Sequence, residues 1–138
     1  MQTELLQFSK EEVDKIWPMA EKYITDACKS HGGYNASDIK QFLKSGAMQL
    51  WVALATENKK VICVCVTEIR KYPNFSVCDL RIAIGQDFNR WVDFMDTICA
   101  WAKKNGCRKM EIFARPGWER ILKNKKFFKT HVQLEKEL

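Results

Sequence analysis

The sequence has little of what marks linkers, membrane spans or export signals. It contains 3 prolines and 6 glycines among 138 residues and no tract rich in glycine, proline or serine, so we expect an ordered chain. No apolar run approaches the roughly 18 residues that a membrane span requires. The first residues include Glu4 and no apolar signal core, so no export is expected. These absences predict one intracellular domain over residues 1–138 with a single core.

Metal-ligand motifs are also missing. The six cysteines include no Cys-x-x-Cys pair and no Cys and His at zinc spacing. Cys63 and Cys65 are two residues apart in a strand-like run, so their side chains share one face. The pattern is typical of buried thiols in a reducing compartment. A metal site or a nucleophilic cysteine is the alternative.

The charge is not balanced, since the formal net charge is +6. Such a surface suits an acidic partner, whether nucleic acid, protein or a phosphorylated cofactor. The densest basic run surrounds Phe127-Phe128, and basic residues combined with aromatic ones can bind single-stranded nucleic acid. The other interpretation is a solvated helix end that leads into a strand with core phenylalanines. The run consists of Lys123, Lys125, Lys126 and Lys129.

Helical patterns dominate the first third of the chain. Ser9 and Glu12 have the spacing of a capping box, followed by apolar residues at helical intervals through Ala27. Pro18 falls inside this pattern and predicts a kink or a break. Ser37-Asp38 predicts the cap of a second, short helix, which Gly46 ends.

Strand patterns follow. A short first strand is predicted at residues 2–8, and three further strands at 49–56, 61–69 and 75–84 should form an antiparallel meander. A long amphipathic helix then presents one apolar stripe and ends at Asn105-Gly106. Another strand at 110–114, a short helix at 118–122 and a last strand at 127–134 complete the chain. The stripe consists of Trp91, Val92, Phe94, Met95, Ile98, Cys99, Trp101 and Ala102.

This order is β-α-α-β-β-β-α-β-α-β, and Trp101-Ala102-Lys103-Lys104-Asn105-Gly106-Cys107 closes the long helix just before an apolar strand. Together these features resemble the GCN5-related N-acetyltransferase (GNAT) fold over the whole chain. The resemblance implies a single α/β (α+β) domain with a mixed, mostly antiparallel sheet flanked by helices. It also implies that strands 75–84 and 110–114 are adjacent and parallel. Arg115-Pro116-Gly117-Trp118 and the ending 134–138 resemble small GNAT-like proteins encoded by bacteriophages.

The resemblance implies a cofactor site. In the family, acetyl-CoA lies along the fourth strand, and its pyrophosphate rests on amides of a loop of the form Gln/Arg-x-x-Gly-x-Gly/Ala. Here Gln86 matches the first position, whereas Asn89 and Trp91 occupy the small-residue positions and keep a ligand off the backbone. Trp91 fills the pyrophosphate space or points into the core, and Asp87 repels a diphosphate or caps the long helix. The candidate cofactor residues are Ile82, Ile84, Gln86, Asp87, Phe88, Asn89, Arg90 and Trp91.

The catalytic residues that the resemblance implies are incomplete. Family members often use a tyrosine after the fifth strand to protonate the departing thiolate, near Leu122 or Lys123 here, but no tyrosine follows Tyr72. A base must also deprotonate the acceptor ammonium. The candidates are Glu68, Asp79 and Glu111, and the alternative is that each is a polar residue on the outer face of a strand.

These features favour a GNAT-fold protein that has lost catalysis and needs no cofactor. We expect a phage-encoded virion or assembly protein, in the host cytoplasm or within the particle, that acts through protein contacts. Arg115, Trp118 and Arg120 are the candidate interface residues, although Trp118 is alternatively a core residue. The second hypothesis is an acetyl-CoA-dependent N-acyltransferase acting on an amine, and the third is a nucleic-acid-binding module.

Overall fold

The fold is built on one five-stranded sheet with the strand order β1-β2-β3-β4-β5. A computed structural model describes residues 2–30, 32–114 and 116–138, and it leaves the side chains of Phe88 and Pro116 undescribed. The strands are β1 (Thr3–Phe8), β2 (Gln49–Ala55), β3 (Val61–Lys71), β4 (Ser76–Gly85) and β5 (Cys107–Ile112). Each strand from β1 through β4 pairs antiparallel with the next one, and β5 pairs parallel with β4. The predicted meander and the predicted parallel pair are therefore confirmed.

Two helices cover one face of the sheet. A 3₁₀ turn at Lys10–Glu12 leads into α1 (Val13–Lys29), and the Ser9 amide donates to Glu12 Oε1 at 2.8 Å, as in a capping box. The helix continues across Pro18 as one element, so the predicted break is wrong. Pro18 lies in the second turn of α1, on the exposed side of the helix.

The second helix, α2 (Ala36–Ser45), begins earlier than the sequence predicted. Its cap is Asn35, whose Oδ1 accepts from the Asp38 amide at 2.8 Å while Asp38 Oδ2 accepts from the Asn35 amide at 3.0 Å. Asp38 is therefore the third helical residue of the capping box and not the cap itself. Gly46 ends the helix with φ of +86°, as predicted.

The predicted long helix is divided in the structure. A one-turn helix, α3 (Phe88–Trp91), is followed by a turn at Val92 and Asp93 and then by α4 (Phe94–Lys104). Both pieces cover the face of the sheet opposite α1 and α2. Trp91, Met95 and Ile98 are buried there against Trp51, Cys63, Cys65 and Leu80. The predicted apolar stripe thus covers one face, although two helices supply it.

The last predicted strand is absent from the structure. After β5, α5 (Pro116–Leu122) and a 3₁₀ turn at Lys123–Lys125 lead to residues 127–138, which form neither a helix nor a strand. The apolar alternation there predicts a strand, but a strand needs a partner for its backbone groups, and the pattern does not supply one. None of the helices in the described parts of the chain is long and apolar enough to span a bilayer.

Candidate functional site

The candidate site opens where β4 and β5 separate. The two strands pair from Ser76 opposite Cys107 to Leu80 opposite Ile112, where β5 ends. β4 continues to Gly85, so its last five residues have β3 on one side and no strand partner among the described residues on the other. Alternate residues of this half-strand direct backbone N–H and C=O groups away from β3. Ligands of α/β sheets bind in such a crevice at the carboxyl ends of parallel strands.

A bulge in β4 sits at the base of this crevice. Val66 of β3 pairs with Ile82 and Thr67 pairs with Leu80, so Arg81 is the extra residue. A bulge increases the local twist and redirects side chains. Ile82 and Ile84, two predicted cofactor residues, pack toward the α1 face of the core, and Ala83 packs toward the opposite face. Only the backbone of this stretch is therefore positioned to meet a ligand in the crevice.

A row of carboxylates crosses the sheet just before the crevice. Glu68 pairs with Asp79 in the β3–β4 register, and Asp79 pairs with Glu111 in the β4–β5 register. The three base candidates, which are 43 positions apart in sequence from first to last, are thus neighbours on three adjacent strands. The sequence identified these residues but not their adjacency, because the register depends on the bulge at Arg81.

Asp79 is the buried member of this row. It is 2% exposed, so the alternative that it is a polar residue on an outer face is wrong. Asp79 Oδ2 lies 3.3 Å from Arg70 Nη2 and 3.3 Å from Arg81 Nη1. Asp79 Oδ1 is buried without a hydrogen-bond partner among the described residues. Burial raises the pKa of the Asp79 carboxyl, and this effect exceeds the lowering by Arg81 and Arg70.

Glu68 shares the two arginines with Asp79. Glu68 Oε1 accepts from Arg70 Nε at 3.2 Å and lies 3.8 Å from Arg81 Nη1. The Arg81 guanidinium also lies over the Tyr34 ring, 5.0 Å from its centre. Two arginines and three carboxylates therefore leave this row with a formal charge of −1, and Tyr34 brings the segment before α2 next to it.

The loop after β4 is held close to β3. The Gln86 amide donates to the carbonyl oxygen of Ile62 at 2.9 Å, and a Cβ at Gly85 would lie 2.1 Å from that same oxygen. Asp87 has φ of +54°, and its carbonyl oxygen accepts from the Arg90 amide at 2.7 Å. An N-cap residue normally has extended backbone, so Asp87 is not an ordinary cap.

Trp91 points into the core. It is 4% exposed, and its Nε1 donates to the carbonyl oxygen of Gln86 at 3.0 Å. Of the two alternatives that the sequence left open, the core position is therefore correct, and the indole does not fill the space outside the loop. Asn89 and the carboxylate of Asp87 remain on the exposed side.

Arg90 is turned away from the loop. Its guanidinium donates to Glu57 Oε1 at 3.2 Å and to the carbonyl oxygen of Gln2 at 3.2 Å, and its own carbonyl oxygen accepts from Thr3 Oγ1. These contacts fasten α3 to β1 and to the β2–β3 turn. The side chain of Arg90 therefore has a structural role. Phe88, the next predicted cofactor residue, has a side chain that lies outside the described part of the chain.

A cavity of about 590 Å³ adjoins the exposed side of this loop. It lies between the α3–α4 turn and the end of α5, and a further cavity of about 350 Å³ lies at the distant β1–α1 corner. Lys125 borders the cavity and donates to Asp93 Oδ1 at 2.8 Å and to Asp96 Oδ2 at 2.9 Å. The lining residues of the larger cavity are Asn89, Val92, Asp93, Ile121, Asn124 and Lys125.

The remaining candidate residues differ in burial. Trp118 is half-buried and its ring lies 6.0 Å from that of Trp91, whereas Arg120 is exposed and Arg115 lies outside the described residues. Leu122, near the position where the resemblance places a tyrosine, is buried in the core. Lys123, Lys126 and Lys129 are exposed around the chain end.

The six cysteines differ in burial. Cys63, Cys65 and Cys78 are buried, and the sulfur atoms of Cys63 and Cys65 lie 3.5 Å apart on one face. Burial raises the pKa of the Cys78 thiol to about 12, so this thiol is a poor nucleophile. Among the described residues, no three His, Cys, Asp or Glu side chains are grouped as metal ligands.

Comparison with family models and with curated proteins finds no match to this sequence. Solved structures do match. An aminoglycoside acetyltransferase from an uncultured soil metagenomic sample has a TM-score of 0.73 at 12% identity, with 100% of this chain and 99% of that chain covered. Glucosamine-6-phosphate N-acetyltransferase from Arabidopsis thaliana has a TM-score of 0.67 at 9% identity, with 99% of each chain covered.

A third match is AAC(6')-Iy in complex with the bisubstrate analog CoA-S-monomethyl-acetylneamine. Its TM-score is 0.70 at 16% identity, with 100% of this chain and 99% of that chain covered. At such low identity, a match over the full length of both chains establishes the fold and not the activity. This chain has the GNAT acetyltransferase fold.

Proposed function

We propose that this protein is an acetyl-CoA-dependent N-acyltransferase that transfers an acetyl group to an amine. One observation carries the proposal: the last five residues of β4 have no strand partner on the β5 side among the described residues, and the loop that follows them has Trp91 turned into the core. The row of carboxylates lies at the base of the same crevice. The proposal thereby reverses the order of the two hypotheses that the sequence favoured.

The residues present fit an acyl-CoA at the strand edge. The backbone of Ile82 to Ile84 has groups available for an extended, amide-containing arm. The loop from Asp87 to Asn89 supplies the backbone amides that would lie beside the diphosphate. The Gln86 amide already donates to the carbonyl oxygen of Ile62, and Lys125 is already paired with Asp93 and Asp96. Asp87 adds a carboxylate next to the expected diphosphate, so we expect weaker binding than a neutral residue would allow.

Bound acetyl-CoA supplies an acetyl group activated as a thioester. The acceptor reacts as a neutral amine, so a group at the crevice must take a proton from its ammonium form. Asp79 suits this role because burial raises the pKa of its carboxyl and because Oδ1 has no hydrogen-bond partner among the described residues. Glu68 and Glu111 lie beside it and can pass the proton toward solvent. No tyrosine follows Tyr72, so this chain lacks the side chain that would protonate the departing thiolate, and solvent would supply that proton.

Isothermal titration with acetyl-CoA tests the proposal. We expect saturable binding at one site, strengthened severalfold in Asp87→Asn because a like charge near the diphosphate is removed. Asp26→Asn on the surface of α1 is the matched control and should leave binding unchanged. Replacing Asn89 with glycine should also strengthen binding. No detectable heat in the wild type and in both loop variants would contradict the cofactor site.

The alternative function is a non-catalytic protein that acts through contacts with a partner. The observation that favours it is the exposed apolar side chain of Phe113, which follows β5, together with exposed Phe128 near the chain end. The assignment to a phage virion or assembly component rests only on the sequence resemblance. Failure to bind acetyl-CoA, combined with capture of one stoichiometric partner that Arg120→Ala weakens, would favour this alternative.

A further inference from the structure

Two segments of the chain carry positive charge and no negative charge. Residues 69–78 and 97–110 together contain six of the 23 basic residues and none of the 17 acidic ones. The rest of the chain therefore holds 17 residues of each sign, so these two segments account for the whole formal charge of +6. Charge of one sign that is concentrated in one place attracts a partner of the opposite sign. The six residues are Arg70, Lys71, Lys103, Lys104, Arg108 and Lys109.

The sheet brings the two segments together at the end where β4 begins. Lys71, the last residue of β3, pairs with Ser76, and Ser76 pairs with Cys107, the first residue of β5. The last turn of α4 contains the two remaining lysines of the second segment and precedes β5 by two residues. Gly85 ends β4 nine residues after Ser76, roughly 30 Å along a strand, so this surface is separate from the candidate cofactor site.

Two aromatic rings lie among these cations. The Arg108 guanidinium and the Lys109 ammonium lie over the Phe75 ring, 5.5 Å and 4.7 Å from its centre. The Tyr72 amide donates to the carbonyl oxygen of Phe75 at 2.9 Å, and in this turn the two rings are 6.2 Å apart. Tyr72 is 45% exposed, whereas Phe75 is half-buried. We call Lys71, Tyr72, Phe75, Arg108 and Lys109 the basic-aromatic patch.

The cations of the basic-aromatic patch are available to a ligand. Lys71, Arg108 and Lys109 are exposed, and none of them takes part in an ion pair within the described parts of the chain. Arg70 differs, because it is paired with carboxylates of the row at the base of the crevice. Three cations of the patch can therefore meet phosphates without breaking an ion pair.

We propose that the basic-aromatic patch binds single-stranded nucleic acid, with a base stacked on the Tyr72 ring and phosphates beside Lys71, Arg108 and Lys109. An exposed ring next to unpaired cations suits a single strand, because its bases are free to stack on a side chain while its backbone meets the positive charge. The bases of a duplex are already stacked, and an acidic protein would use the cations without the ring. This binding does not depend on acetyl transfer, since the patch and the crevice lie at opposite ends of β4.

Fluorescence anisotropy with a labelled oligothymidylate of about 16 nucleotides tests the site. Binding measured over a range of salt concentrations gives the slope of log K against log salt. Replacement of Lys71, Arg108 and Lys109 together by alanine should reduce this slope by about 2, or roughly 0.7 for each phosphate contact that is lost. The affinity of this variant at low salt should fall accordingly.

The matched control removes the same number of charges from another place. Replacement of Lys123, Lys126 and Lys129 by alanine lowers the net charge equally but leaves the basic-aromatic patch intact. The slope for this control should equal that of the wild type. Equal reductions in the two triple variants would show attraction by net charge alone and would overturn the assignment to the patch.

Substitutions of Tyr72 distinguish stacking from attraction by charge. Tyr72→Ala should weaken binding by about tenfold with an unchanged salt slope, because the variant lacks a ring but no charge. Tyr72→Phe retains the ring and should bind within about twofold of the wild type. Unchanged affinity in Tyr72→Ala would contradict stacking on this ring. Thermal melting of each variant by circular dichroism shows that the compared proteins are folded.

Three further results would overturn the proposal. Absence of oligothymidylate binding at about 50 mM salt excludes the site. Tighter binding of a duplex of the same length means that phosphates are bound without stacking. Competition by polyglutamate that equals competition by unlabelled oligothymidylate at the same charge assigns the patch to an acidic protein. Acetyl-CoA titration of the variant that lacks Lys71, Arg108 and Lys109, expected to match the wild type, separates these results from a failure of the proposed function.

Discussion

Gly85 lies at the end of β4, where a side chain would meet the backbone of β3. A Cβ there would be 2.1 Å from the carbonyl oxygen of Ile62 and 2.7 Å from Cys63 Cα, and both are backbone atoms that cannot rotate away. Gly85→Ala should therefore lower the free energy of unfolding by about 3 kcal/mol, measured by chemical denaturation. Gly117→Ala is the control, since no atom lies within 4 Å of its Cβ. Equal effects of the two substitutions would contradict this explanation.

Asp79 gives the stability of the fold a pH dependence. Burial raises the pKa of its carboxyl above the ordinary value of 3.8. The folded state therefore binds the proton more tightly than the unfolded state, and the stabilisation is fully present below pH 3.8 and is lost as the pH rises through the folded pKa. Asp79→Asn does not titrate, so its free energy of unfolding relative to the wild type should increase with pH over this range.

Urea denaturation at a series of pH values measures this difference. The amide introduced by Asp79→Asn also alters the contacts with Arg70 and Arg81, which shifts the stability by an amount that does not depend on the titration. The slope of this free-energy difference against pH therefore reports the titration of Asp79. Asp26→Asn, which replaces an exposed carboxylate 3.5 Å from Lys29, is the matched surface substitution against which the slope is compared. A constant difference at every pH for Asp79→Asn would disprove the assignment.

At the scale of elements, local patterns predicted what depends on local chemistry. Apolar periodicity identified β2, β3, β4 and β5, and the glycine positions identified the ends of α2 and α4. The division of the long helix at Val92 and Asp93 was not predictable, because the apolar stripe continues through the turn. The last predicted strand did not form, because alternating apolar residues give a segment one apolar face but do not supply a neighbouring strand with which it can pair.

The candidate site was predictable in its residues and not in its geometry. Glu68, Asp79 and Glu111 stood out as acidic residues on strands, but their alignment depends on pairing across three strands and on one extra residue at Arg81. A shift of one position would send Asp79 to the opposite face. The orientation of Trp91 was equally undetermined, because an indole at the start of an apolar stripe suits both the core and the ligand side.

Trp118 fixes α5 to the rest of the domain. Its half-buried ring lies 6.0 Å from Trp91 and adjoins the core that contains Leu122. Trp118→Ala should lower the free energy of unfolding by about 2 kcal/mol, less than the roughly 3–5 kcal/mol of a fully buried tryptophan, with a clear fall in melting temperature. Arg120→Ala on the exposed side of α5 should leave the melting temperature nearly unchanged.

An interface role for Trp118 predicts the reverse pattern. If the ring anchors a partner and not α5, Trp118→Ala would weaken partner binding while the melting temperature stays within the range of the Arg120→Ala control. Calorimetry on the isolated variants decides between the two roles without knowledge of the partner. The contact with Trp91 favours the structural role.

At the scale of the whole molecule, the net charge of +6 leaves nucleic-acid binding as a testable hypothesis. The basic residues near the chain end are not equivalent. Lys125 is held by Asp93 and Asp96 at 2.8 Å and 2.9 Å, and these hydrogen bonds raise the pKa of its ammonium group. Lys123, Lys126 and Lys129 are exposed. Binding through such exposed lysines releases the counterions condensed on the nucleic acid, and this release makes the affinity depend on salt.

The salt dependence of binding to a single-stranded oligonucleotide distinguishes the contribution of Lys125 from that of the three exposed lysines. If the chain binds the strand through its basic end, replacement of Lys123, Lys126 and Lys129 by alanine should reduce the slope of log K against log salt by about 2, or roughly 0.7 for each phosphate contact. Lys125→Ala should leave the slope unchanged, because its charge is already neutralised by two carboxylates. Fluorescence anisotropy over a range of salt concentrations measures both. A slope that falls equally for Lys125→Ala and for each single exposed lysine would mean that Lys125 leaves its carboxylates to bind phosphate. Absence of binding at low salt would exclude the nucleic-acid hypothesis and leave the positive charge to solubility and to the diphosphate of the proposed cofactor.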